Sequence, residues 1–127
     1  MDYINFVLRL GQWSVTTSTG VAEVAQSPAG EVPPYRFKLD LDGHGSNQRT
    51  QRTNATALMV GRRLMESVFT RETLSAWHES YRIALARKRG LRLRLQIDSW
   101  ELARLPWEML YDAQRGGFLA FDPHVSL

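Results

Sequence analysis

Cysteine is missing from all 127 residues. That gap excludes a thiol nucleophile, a disulfide framework, an iron–sulfur cluster and any thiolate zinc site within the chain. Long apolar runs are missing as well: no stretch of about 18 residues reads as a membrane span. The opening Met1-Asp2-Tyr3-Ile4-Asn5 lacks the basic, then apolar, then small-residue order of a signal peptide. Together these absences predict a cytoplasmic protein with no membrane partner. Charge of one sign is scarce too, since 16 Lys+Arg against 13 Asp+Glu leave a net +3, an excess too small to demand a polyanion. What remains, 43% hydrophobic and 23% charged residues, is the profile of one globular domain. A chain of this length buries roughly two thirds of its unfolded surface and needs no covalent or metal staple.

The first 42 residues read as β-rich. Ile4, Phe6, Leu8 and Leu10 alternate with Tyr3, Asn5, Val7 and Arg9, which predicts a strand covered mainly on one side and ended by Gly11. Val15 to Ala25, rich in Val and Thr, predicts a second strand, with turn chemistry in Ser27-Pro28-Ala29-Gly30. Tyr35, Phe37, Leu39 and Leu41 alternate with Arg36, Lys38, Asp40 and Asp42, completing a meander. Residues 43–54 hold nothing apolar to bury and are expected to form a surface loop.

Residues 55–127 read as α/β. Thr53 or Asn54 is placed to cap a helix that buries Leu58, Met65, Val68 and Phe69 and leaves Arg62, Arg63 and Glu66 outside. Thr70 is placed to cap a second helix with the stripe Leu74, Trp77, Tyr81, Ala84 and Leu85, stopped by Gly90. Strict alternation of Leu91, Leu93, Leu95 and Ile97 with Arg92, Arg94 and Gln96 predicts the clearest strand of the chain. Asp98 or Ser99 opens a helical turn, Pro106 suits the first position of a short helix over 107–111, and residues 112–117 form a turn before a brief strand, Phe118 to Phe121. A chain that stops at Leu127 inside what reads as a strand would leave sheet edge unpaired, so more polypeptide is expected downstream.

The alternating strand Leu91–Ile97, the segment Glu101-Leu102-Ala103-Arg104-Leu105-Pro106-Trp107-Glu108-Met109-Leu110-Tyr111-Asp112, and the following Gly117-Phe118-Leu119-Ala120 resemble the opening of the CHAT domain. CHAT domains are caspase-like proteins often fused to TPR repeats. The upstream part, with its Tyr-x-x-F-x-L-R strand and Ser27-Pro28-Ala29-Gly30-Glu31 turn, looks like the variable N-terminal region of that family. The resemblance implies the N-terminal portion of a caspase-like α/β/α sandwich with a mixed sheet, preceded by a β-rich meander. It also implies a cysteine peptidase in complete members, whose His/Cys dyad would lie beyond Leu127. The chain itself would then be a non-catalytic scaffold. Its expected partners are the downstream catalytic part and possible TPR or other regulatory segments, with a protein substrate for the parent and no cofactor. The signature residues Leu105, Pro106, Trp107, Glu108, Leu110, Tyr111 and Asp112 are given a packing role: Trp107 offers a large apolar surface, Leu105 and Leu110 flank it, and Glu108 suits the first turn of a helix.

Other candidate sites weigh less. Asp42-Gly43-His44-Gly45 resembles the start of a caspase-like site, but it precedes the matched segment and no Cys answers it, so His44 reads as a solvated loop residue. Over Asp40–Gln51 the EF-hand template lacks its final Glu, because position twelve is Gln51. Neither a dinucleotide fingerprint nor a phosphate loop is complete. His44, His78 and His124 are too scattered in sequence to form a metal set, and no Gly-x-Ser-x-Gly elbow exists. Glu101, Glu108 and Asp112 fit one helical side, where carboxylates usually serve the helix start. Arg82, Arg87, Lys88, Arg89, Arg92 and Arg94 form the densest charge, yet Arg92 and Arg94 are expected to pair with acids on a neighbouring helix, which disfavours nucleic acid. The alternative to the scaffold is a free-standing interaction or basic nucleic-acid-binding module.

Overall fold

Alternation in the first strand puts Phe6, Leu8 and Leu10 on one face, and all three are buried in the computed structural model, which describes residues 2–39 and 54–127. This strand, β1 (Tyr3–Ser14), pairs antiparallel with β2 (Thr19–Gln26), which pairs antiparallel with β3 (Tyr35–Lys38). Two helices follow, α1 (Asn54–Val68) and α2 (Arg71–Ala86), and then β4 (Gly90–Ile97) returns to lie parallel to β1. The chain continues through a short α3 (Trp100–Ala103), a single 3₁₀ turn at Trp107–Met109, the hairpin β5 (Tyr111–Asp112) and β6 (Gly117–Phe118), a second 3₁₀ turn at Leu119–Phe121, and β7 (Val125–Ser126). β7 runs parallel to β4, giving a mixed five-stranded sheet in the order β3-β2-β1-β4-β7. The fold is α/β, as expected. The whole Asp40–Gln51 run, His44 and the expected 43–54 loop lie outside the described residues, apart from Asn54, which opens α1.

The core lies on one face of that sheet. Phe6 packs edge-on against Trp77 of α2 at 5.3 Å and stacks with Phe69 at 6.4 Å, while Leu64, Met65 and Val68 of α1 close the layer. Buried aromatic pairs of this kind add to the area they remove from water. On the other face Arg92, Arg94 and Gln96 of β4 are exposed, as alternation requires. Val7 of β1, on that second face, is nonetheless buried.

Several boundaries differ from the sequence expectations for local reasons. β1 passes Gly11 and continues to Ser14, because Gln12 adopts a positive φ of 51° and the register with β2 shifts there, a bulge that lets pairing resume. β2 starts at Thr19 instead of Val15, since residues 15–18 make the reversal between the strands and Val15 stays 67% exposed. Thr70 caps α2 through a hydrogen bond from the Thr73 backbone N–H, but the stop is Lys88 rather than Gly90. Lys88 takes the left-handed conformation (φ 57°), Arg89 N–H reaches back to Ala84 O and Lys88 N–H to Leu85 O. Gly90 is thereby free to open β4. The first strand of the meander is the direct neighbour of β4. Leu85, expected in the buried stripe, is exposed, and Leu64 joins the core in a position the spacing did not single out.

Candidate functional site

Ser99 ends the extended chain after β4 and accepts a hydrogen bond from Leu102 N–H, while its hydroxyl donates to Glu101 at 2.7 Å. This bond, and then the Glu101 backbone N–H, holds the exposed Glu101 carboxyl below the ordinary carboxylate range. Leu102 is thus fixed with its carbonyl toward Trp107, whose indole N–H donates to it at 2.8 Å. Trp107 and Leu110 are buried, Leu105, Pro106 and Tyr111 half-buried, and Glu108 exposed. The helix expected over residues 107–111 is corrected. Only Trp107–Met109 makes a single 3₁₀ turn; Pro106 precedes it with ψ 70°, and Tyr111 and Asp112 are already strand. Glu108 still sits in that turn.

What fixes the segment from below is Gly61 of α1. A side chain on Gly61 would place its Cβ 1.9 Å from the Met109 carbonyl oxygen. The helix therefore touches the signature segment backbone to backbone, which only glycine permits.

Asp112 is the residue whose role differs most from the sequence expectation. It does not share a helical side with Glu101 and Glu108; it is 1% exposed at the end of β5. One oxygen accepts from the backbone N–H of Gln114 and of Arg115, fixing the hairpin turn in which Gly116 takes φ 71°, and the other meets His78 Nε2 of α2 at 2.5 Å. Each polar atom of this buried carboxylate is satisfied. The pair joins α2 to the hairpin across 34 positions of sequence. The hairpin continues with Phe118 opposite Tyr111, and Leu119 N–H bonds to Leu110 O. The expected strand over 118–121 is corrected to one strand residue followed by a 3₁₀ turn that buries Leu119.

Between α2, the hairpin and the loop up to His124 lies an open groove of about 840 Å³. Tyr81, Tyr111, Phe118 and Phe121 supply its aromatic wall, and Phe118 meets Tyr111 and Phe121 edge-on at 5.1 and 5.4 Å. Asp122 lies at one side, accepting from the Tyr81 hydroxyl (3.2 Å) and the His124 backbone N–H (2.8 Å) and pairing with Arg115 at 3.4 Å. The Arg115 guanidinium lies 3.7 Å over the Tyr81 ring. Burial, and next the bond to Asp122, push the Tyr81 hydroxyl pKa up, so the group stays a donor through the neutral range. Sequence reasoning placed Tyr81 in the core stripe and His124 among scattered histidines; nothing local showed that they meet.

Arg92 and Arg94 find no acidic partner among the described residues, contrary to expectation; Arg92 instead lies 4.9 Å over the Tyr3 ring on the exposed face. Arg82 pairs with Glu79 at 2.6 Å. No three histidine or acidic side chains among the described residues converge on a metal-binding point, and no helix there is long and apolar enough to cross a membrane. No family model, no curated protein and no solved structure matches the chain.

Proposed function

We propose that this chain is the non-catalytic framework of a CHAT-type caspase-like cysteine peptidase of the cytoplasm, with the His/Cys dyad supplied by polypeptide downstream of these residues. The observation that carries the proposal is the half-paired β4. Leu91 and Arg92 pair with Val125 and Ser126, whereas Leu95 and Ile97, paired with β1 on one side, have no strand partner among the described residues on the side to which their amides and that of Leu91 point. A parallel strand continuing the register of β7 would complete the ladder. Parallel sheets are also ordinarily covered on both faces, so the face of β4 on which Arg92, Arg94 and Gln96 are exposed leaves room for the second layer of an α/β/α sandwich. With no sulfur nucleophile, the chain supports no thiolate acyl transfer alone. Its partners in this proposal are the catalytic part, TPR or other regulatory segments and, for the parent, a protein substrate; no cofactor enters.

Co-expression with the segment encoded after Leu127 tests it. That segment should contain a His and a Cys at the ends of successive strands, co-elute with this chain, and cleave peptides until the Cys is replaced by Ser. Independent elution, or a downstream segment without the dyad, overturns the proposal. The exposed Arg92 and Arg94 favour one second reading, a basic nucleic-acid-binding module; it requires an affinity that falls steeply with salt, and a flat salt response removes it.

A further inference from the structure

Register and alternation place the outward side chains of the sheet. Opposite the core, β4 presents Arg92 and Arg94, in register with Asn5 and Val7 of β1, and β3 presents Arg36 and Lys38, in register with Val21 and Thr19 of β2. All four cations are exposed, and none has an acidic partner among the described residues. The carboxylates of this face lie elsewhere on it: Glu23 is held by Arg9 at 3.1 Å, and Asp98 lies over Gly11, where a Cβ would come within 2.8 Å of its Oδ2. Residues 40–53 hold two Asp and two Arg, so their charges cancel. Strands lie about 4.8 Å apart and rise about 3.3 Å per residue. Arg94 and Arg36, three strands and four register positions apart, therefore sit about 20 Å from each other, with Val7, Val21 and the Arg9–Glu23 pair between them.

A second layer without acids would strip water from these cations and leave them unpaired, which is costly. We propose that the face seats an acidic amphipathic helix of the downstream catalytic part, with carboxylates near its two ends on Arg92 and Arg94 and on Arg36 and Lys38, and apolar residues at its middle over Val7 and Val21. Such a seat presupposes the framework reading and adds to it the chemistry of the second layer. Helices ordinarily cover sheets with parallel strands, and about 13 helical residues rising 1.5 Å each span the distance between the two basic corners. Nucleic acid fits the face less well. Five strands are about 19 Å across, too broad for a duplex major groove of about 12 Å. Single strands need rings to stack on, and the one aromatic side chain at these outward strand positions, Tyr3, already carries the Arg92 guanidinium at 4.9 Å.

The dissociation constant of the complex between this chain and the segment encoded after Leu127 tests it. Arg92→Glu with Arg94→Glu, and Arg36→Glu with Lys38→Glu, should each weaken the complex at least about tenfold while leaving the thermal transition in place. Arg63→Glu, on the exposed side of α1, should leave the affinity unchanged. Lys in place of the acids of the downstream helix should restore binding to the reversed chains, because the two changes are coupled only if the groups meet. Should a reversal lower the thermal transition, Gln at the same positions gives a weakening in the same direction. A complex whose affinity ignores both reversals overturns the acidic helix and leaves the framework reading standing, whereas no complex at all overturns the two together. A single-stranded oligonucleotide held on this face, and not displaced by the downstream segment, overturns the helix in favour of nucleic acid.

Discussion

Trp107 shows how much one side chain holds together. Its ring is buried and its N–H is satisfied by the Leu102 carbonyl, so Trp107→Ala should cost about 3–5 kcal/mol in chemical denaturation. A loss below about 1 kcal/mol would mean that the indole is dispensable. Gly61→Ala should be at least as damaging, about 3 kcal/mol or more, because the clash is with the Met109 carbonyl and no rotamer relieves it. Asp112→Ala strands the His78 ring nitrogen and two turn amides, with an expected loss of about 2–3 kcal/mol. Of these residues only Trp107 announced its role in the sequence. A glycine inside a helical pattern is a signal of close packing, but the pattern does not say against what, and the Asp112–His78 bond joins two segments whose spacing carries no periodicity.

At the scale of elements, periodicity sees what faces the core and misses what lies at the ends. β4 and α2 were legible because their apolar positions recur at two and at three to four residues. The Trp107–Asp112 stretch was not, since a 3₁₀ turn, a corner and a two-residue strand each occupy less than one period. The groove was illegible for a further reason: it is made where three separate segments meet. Within β4 a difference along the strand is expected. Amides of Leu95 and Ile97 should exchange with solvent at least about tenfold faster than that of Leu91, which donates to His124 O. Equal protection across the strand would mean that its outer edge is covered. The Ser99–Glu101 cap of α3 has a pH signature of its own. The Glu101 carboxyl titrates below its ordinary value, so the contribution of this cap is full above the ordinary carboxylate range and is lost as pH falls through the lowered value. Glu101→Gln should flatten that acid limb.

For the whole molecule, two tyrosines contribute to the alkaline limit. Burial raises both Tyr35, against the opposing effect of hydrogen bonds from Thr73 and Thr70, and Tyr81 above the usual phenol value. A folded pKa above the unfolded one gives stability that is complete below about pH 10 and disappears as pH rises through the folded value. Unfolding followed against pH should show this loss, and Tyr35→Phe should reduce its steepness; an unchanged alkaline limb would assign the loss to other groups. The α/β class was readable from strand and helix patterns in order; the mixed sheet was expected only through the family resemblance. Which strands become neighbours was not readable, because pairing β1 with β4 is decided by contacts across the whole chain.

That pairing also sets an order of events during synthesis. Arg9 of β1 meets Gln96 of β4 87 positions later, so the meander leaves the ribosome long before the strand it must lie beside, with Phe6, Leu8 and Leu10 bare on its apolar side. Closing so long a loop is slow, and until Gly90–Ile97 emerges the nascent chain is a natural client for a chaperone that shields greasy strands.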